Sequence, residues 1–184
     1  MNNKLLRCLA ASSLMAALLS CDNTRPVHYD LLIQGGTIVD GSGAAAYAGD
    51  IAINNDTIVE IGKLEGATAM RVIDASGEVV SPGFIDLHTH ADRNIRSNPG
   101  VENYLFQGVT TMLVGNCGNS PVHLDAYFQS VEETRTAPNL GMLIGHNAVR
   151  AEVMGNDNRP PTNDELTGMK ELVKAAMDAG AFGM

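Results

Sequence analysis

The sequence predicts an α/β chain whose strand–helix part is preceded by a small antiparallel β segment, one part of a sandwich. Three observations carry this reading. Between residues 29 and 81, short β candidates are separated by Gly, Asn, Asp and Pro turn residues. From residue 82 to 184 the pattern becomes strand, helix, strand, helix, strand, helix. The stretch FIDLH (84–88) reads as a continuous rather than an alternating strand, as one buried on both faces does.

Each element has its own signal. YDLLIQ (29–34) and TIV (37–39) flank Gly35-Gly36, a hairpin signature, and Asp40-Gly41 marks a further turn. DIAI (50–53) and TIVEIG (57–62) are joined by Asn54-Asn55-Asp56, a tight-turn composition. RVIDASG and EVVSPG follow, each closed by Gly or Pro-Gly. Past FIDLH, Asn98 and Pro99 read as a helix N-cap and first position, with Gly108 as its end. VTTMLVG (109–115) is the next strand, residues 124–134 the next helix, and NLGMLIGH (139–146) a third strand. Thr162-Asn163-Asp164-Glu165 matches a capping box. Leu166, Met169, Val173 and Ala176 then share a face, and Gly180 supplies the stop. A doubly wound sheet and a β/α barrel both suit this order. No G-x-G-x-x-G follows the first of the later strands, which disfavours nucleotide binding.

Composition narrows the classes further. The 184 residues carry a formal net charge of -9, contain no Trp and show no basic cluster, which argues against a nucleic-acid surface. Residues 1–20 read as a leader: Lys4 and Arg7 precede the uncharged apolar run Leu9 to Leu19, shorter than the ~20 residues a membrane span needs. Leu18-Leu19-Ser20-Cys21 resembles a bacterial lipoprotein signal, with Cys21 lipidated as the mature N-terminus and residues 21–28 as a linker. Simple secretory cleavage is the alternative. Either way the protein is expected outside the cytoplasm, on the periplasmic or cell-envelope side, meeting the membrane only through its anchor. Of the three cysteines (Cys8, Cys21 and Cys117), only Cys117 then remains as a free thiol, with no partner for a disulfide.

The chemistry-bearing residues cluster at strand ends. Asp86, His88 and His90 fall on one side of an extended run, at the carboxyl end of the first later strand, where α/β folds assemble their sites. Two imidazoles there suit a divalent metal, although H-x-H also describes histidines that are merely hydrogen-bonded or exposed. Cys117, in Gly115-Asn116-Cys117-Gly118, holds the equivalent end of the next strand. A thiolate beside imidazoles suits Zn²⁺; the alternative is a small buried apolar residue.

PGFIDLHTHAD, QGVTTMLVGNCG and LIGHNAVR together resemble the amidohydrolase superfamily, and more narrowly the N-acyl-D-amino-acid deacylases. YDLLIQGGTIVDGSG and VIDASGEVVSPGFID are similar to that superfamily's N-terminal β segment. The resemblance runs from about Tyr29 to the last residue, and GNCG is its discriminating part. It implies that residues 82–184 form the first strands and helices of a TIM-like β/α barrel in a metal-dependent hydrolase. It implies His88, His90 and Cys117 as zinc ligands, with one metal held tightly through the bridging Cys117 and a second, weaker position at the histidines. His146 and Arg150 are expected at the substrate pocket, and Asp86 is expected to orient a ligand. The implied substrate is a small N-acyl-D-amino acid, cleaved to a carboxylate and a D-amino acid.

Two positions depart from the family pattern: Ala91 replaces a frequent Asp after H-T-H, and Asn119 replaces the usual Phe after GNCG. The family also uses two further histidines and an aspartate general base. No His follows His146, so these are expected beyond Met184, and the 184 residues read as an N-terminal portion without a catalytic base. A hydantoinase-like enzyme for cyclic amides is the nearest rival, disfavoured because a lysine would be expected in place of Cys117. A non-catalytic lipoprotein remnant is the rival from another class.

Overall fold

The computed structural model describes residues 28–184. The predicted leader and Cys21 lie outside the described residues. Two units divide between Val80 and Ser81.

In the first unit, β1 (His28–Ile38), β2 (Tyr47–Asn54), β3 (Thr57–Gly62), β4 (Thr68–Asp74) and β5 (Val79–Val80) form one sheet. Its order is β3-β2-β1-β4, with β5 also on β1. The β2–β3 hairpin turns at Asn55-Asp56, as its composition predicts, with Asn55 at φ 54°. Asp30 Oδ2 accepts the Asn55 amide at 2.7 Å, which ties the turn to β1.

Two expectations for this unit need correction. The segment is not wholly antiparallel: β1 runs parallel to both β4 and β5. After β3 the chain crosses back beneath the sheet instead of turning beside it. Leu64 in that crossing is buried with Tyr29, Leu32 and Ala52, and Asp50 Oδ2 accepts its amide at 3.0 Å. Burial of Leu64 together with a satisfied amide favours the crossing over another hairpin. Second, Gly35-Gly36 is not a hairpin. β1 continues through it, and the register to β2 shifts between Ile33 and Gly36, a β-bulge. Gly35 has φ 73°, and a Cβ on Gly36 would lie 2.6 Å from Val80 Cγ2, so both positions need glycine in the middle of a strand. Among the described residues of this unit the strands make a single sheet.

In the second unit, β6 (Phe84–Asp86), β7 (Val109–Val114) and β8 (Asn139–Met142) form a parallel sheet in that order. The helices are α1 (Glu102–Leu105), α2 (Leu124–Thr134), α3 (His146–Met154) and α4 (Asn163–Asp178). One face of the sheet supplies Met112, Val114 and Met142, all fully buried, to a core shared with Ile95, Leu124, Tyr127, Val149 and Ala176. On the other side Ile85 and Leu87 are 63 % and 67 % exposed. The expectation that FIDLH is buried on both faces therefore fails. β6 is three residues long and lies at the sheet edge.

The first helix also starts later than Asn98-Pro99 predicts. Residues 91–93 form a 3-10 turn, and Val101, buried at φ 38°, delays the helix to Glu102. α2 spans the predicted 124–134. α4 starts on the predicted capping box: Thr162 Oγ1 accepts the Glu165 amide, and Glu165 Oε2 accepts the Thr162 amide at 2.7 Å. Ala176, Met169 and Val173 pack inward, whereas Leu166 remains 41 % exposed.

Candidate metal centre

β6 and β7 deliver their ends side by side because they pair in parallel register, Asp86 opposite Met112. Beyond β6 the chain makes a tight turn. Asp86 Oδ1 accepts the His88 amide at 3.0 Å, so this carboxylate acts on the His88 backbone rather than on an imidazole. Thr89 N donates to Leu113 O of β7 at 3.3 Å, and Thr89 Oγ1 accepts the Ala91 amide at 3.0 Å. His88 and His90 flank this anchored threonine in the chain.

Beyond β7 the backbone is strained. Gly115 has φ 81°, and a Cβ there would lie 2.1 Å from Leu143 O, so only glycine lets this turn pass the start of the β8 turn. Cys117 has φ 60°, the left-handed conformation that costs a non-glycine residue about 1–2 kcal/mol. Strain of this kind persists where surrounding structure enforces it, often at functional sites. Its consequence here is to aim Sγ at the histidines.

Cys117 Sγ lies 3.5 Å from His88 Nε2 and 3.7 Å from His90 Nε2. All three donor atoms fall within 4.8 Å of one another. Zinc bonds of about 2.0–2.1 Å to nitrogen and about 2.3 Å to sulfur, at a tetrahedral angle, put N and S about 3.6 Å apart. The donor set thus fits zinc in both chemistry and spacing. It supplies three of four tetrahedral positions, and the exposure of His88 and Cys117 leaves the remaining side open.

Below the histidine turn, Tyr127 of α2 donates its hydroxyl to Asp92 O at 3.0 Å, holding the 3-10 turn that follows His90. Burial, reinforced by the Asp92 charge, pushes the Tyr127 phenol up to about 12, with Arg96 over its ring opposing the rise. The hydroxyl therefore stays a proton donor throughout the physiological range. Asp92 Oδ1 is buried without a hydrogen-bond partner.

The remaining predicted residues are placed elsewhere. His146 is the first residue of α3, its ring 3.4 Å from Asn147 Oδ1, outside the three-donor group. Arg150 donates to Asp157 O at 2.8 Å and Arg159 O at 2.7 Å, bracing the loop that leads to α4. Asn119, at one departure from the family pattern, donates to Cys117 O at 3.3 Å. Ala91, at the other, is buried. Two residues that sequence reasoning passed over, Thr89 and Asn116, are the only buried polar ones among the described residues. The available signal was their position: one lies between the histidines, the other just before the cysteine.

A family profile described as "Amidohydrolase family" matches residues 71–184. The chain belongs to the amidohydrolase family. A curated relative, D-aminoacylase of Alcaligenes xylosoxydans xylosoxydans, is 36 % identical over 179 residues, 85 % of this chain and 37 % of the relative. A crystallographic study of the binuclear metal centre in D-aminoacylase provides a structure with TM-score 0.79 and 32 % identity, covering 84 % of this chain and 38 % of that one. N-acyl-D-glutamate deacylase from Bordetella bronchiseptica, solved with zinc and a phosphonate mimic of the tetrahedral intermediate, has TM-score 0.79 and 34 % identity, covering 85 % and 38 %. L-hydantoinase from Arthrobacter aurescens is more distant, with 19 % identity and TM-score 0.52. This amidohydrolase chain thus spans somewhat over a third of the length of its deacylase relatives.

Proposed function

We propose that His88, His90 and Cys117 are the first ligands of a zinc-dependent amidohydrolase that cleaves N-acyl-D-amino acids to a carboxylate and a D-amino acid. The observation that carries this is the approach of Cys117 Sγ to both Nε2 atoms at the spacing a tetrahedral zinc requires, 3.5 and 3.7 Å. Bound zinc would supply Lewis acidity and a water acidic enough to attack an amide near neutral pH. The protein's part is orientation. Asp86 and Thr89 hold the histidine turn, and the strained Gly115–Gly118 turn presents the thiolate from the neighbouring strand.

The activity is proposed for a longer enzyme, with the general-base aspartate and two more histidines on chain that follows these residues. The 37 % coverage of D-aminoacylase supports this. No residue described here is assigned as catalytic. His146 and Arg150 remain proposed substrate contacts on the family resemblance alone, and Arg150 would have to exchange its carbonyl partners to serve. The deacylase reading is preferred to the hydantoinase-like one because a cysteine stands at position 117 and because the deacylase relatives match far better. We also propose export with a lipid on Cys21, supported by the charged and apolar leader pattern. No described helix is long and apolar enough to cross a membrane.

The test is stoichiometric zinc analysis together with hydrolysis of N-acyl-D-amino acids by the full-length enzyme. Loss of both zinc and activity in Cys117→Ala is expected; retained zinc with full activity would overturn the ligand assignment. Intact mass of the native protein from a membrane fraction, with or without a lipid on Cys21, decides the anchor.

A further inference from the structure

Asn116 and Thr89 do more than fill space beneath the candidate site. Asn116 is 8 % exposed and Thr89 3 %. The Asn116 side-chain amide donates to Thr89 O at 3.3 Å and to Leu113 O at 2.9 Å. Leu113 O also receives the Thr89 amide at 3.3 Å. The residue before the cysteine is thereby tied to both polar backbone groups of the residue between the histidines, one bond being direct and the other shared through Leu113. Thr89 is fixed in turn by its hydroxyl, which accepts from Ala91 N and donates to Tyr104 Oη at 3.2 Å.

We propose that Asn116, acting through Thr89, is a positioning residue that sets the spacing between Cys117 Sγ and the two histidine Nε2 atoms. This rests on the reading of those three residues as metal ligands. Two turns from different strands must hold their donors within tenths of an ångström, and neither turn has regular structure to stiffen it. Cys117 also sits in a disfavoured conformation, so an unbraced turn would relax and withdraw the sulfur. A primary amide suits the task because one NH₂ group supplies two donors to two carbonyls. An aspartate of the same shape would present oxygens to both and repel them. The bridge is buried, so water does not replace it cheaply.

The experiment is Co²⁺ titration of the purified protein, read by the thiolate-to-cobalt charge-transfer and ligand-field bands. It is paired with hydrogen exchange of segments 87–92 and 113–119 in metal-free protein. Asn116→Asp is expected to weaken cobalt binding by about 10–100-fold, the range for residues that orient metal ligands, and to shift the ligand-field bands. Exchange should rise in both segments together. Asn116→Ser, which keeps one donor and guards against a misfolded aspartate variant, should fall between the two. Thr162→Ala, which weakens the remote cap of α4, should leave cobalt binding at the parent level. An Asn116→Asp protein with parent affinity, spectrum and exchange would overturn the proposal. So would faster exchange confined to 113–119. Absence of a thiolate band from the parent, or its survival in Cys117→Ala, would instead sink the metal reading, and the joint exchange of the two turns would still decide whether the bridge exists.

Discussion

The start of α4 and the paired turns after β6 and β7 both satisfy loose backbone groups with polar side chains, but over very different lengths of chain. At α4, Thr162 and Glu165 cap each other three residues apart, and Arg159 pairs with Glu165 from six residues away. At the candidate metal centre, Asn116 reaches Thr89 across 27 positions and Cys117 reaches His88 across 29. A local device works wherever its few residues occur together. The long-range one works only after β6 and β7 pair in the right register, because loop-closure entropy must be offset before any of its contacts form. The metal centre should therefore be sensitive to sheet packing, and the cap should not.

Substitutions can break or sharpen this contrast, beginning with the largest effect. Cys117→Ala should lower zinc affinity by more than about 100-fold while leaving the α4 cap intact, since the change removes a donor atom outright; competition with a chromogenic chelator measures it. Met112→Ala removes a fully buried side chain from the strand between the two turns and should destabilise by about 2–5 kcal/mol in denaturant unfolding. Metal affinity should fall with it, and an unchanged affinity would show that the turns hold themselves without the sheet. Thr162→Ala should cost about 1 kcal/mol of stability with no change in zinc binding.

A subtler effect is the acid response of the cap. Arg159, with help from the Thr162 amide, holds the Glu165 carboxyl down to about 2. A carboxyl lowered by folding contributes stability above its unfolded value, near 4.5, and loses that contribution as pH falls toward about 2. The melting-temperature gap between the parent and Glu165→Gln should therefore narrow across this window; a constant gap would refute the linkage. Smallest of all, Lys174→Ala breaks an exposed pair with Asp178 and should change stability by no more than about 0.5 kcal/mol.

Legibility in the sequence follows the same division. α2 lies on the expected 124–134, and α4 begins at its predicted capping box because a cap acts within one turn of helix. Gly35-Gly36 is ambiguous in sequence because a hairpin and a β-bulge both call for glycine, and only the pairing of β2 with β1 on both sides of the pair, at Leu31–Ile33 and Gly36–Ile38, chooses between them. Apolarity alone makes FIDLH resemble a doubly covered strand, although whether a strand gains neighbours on both faces is not a property of its own residues. For the site, donor types were legible and support was not. Nothing about the letter Asn at 116 distinguishes a loop residue from a buried bridge, and nothing about the letter Arg at 150 shows that it donates to the carbonyls of Asp157 and Arg159.

Residue identity alone therefore settled the local devices, the presence of two imidazoles and a thiol at strand ends, and the family resemblance they carry. Those depend on side-chain chemistry and on spacing of a few residues, which the covalent chain imposes directly. Packing decided that β4 lies parallel to β1, that Cys117 adopts its left-handed turn, and that three donors from two strands converge within bonding distance of one ion. These are outcomes of burial and strand register between segments far apart in the chain, where many arrangements share the same local preferences and only the packed whole selects one.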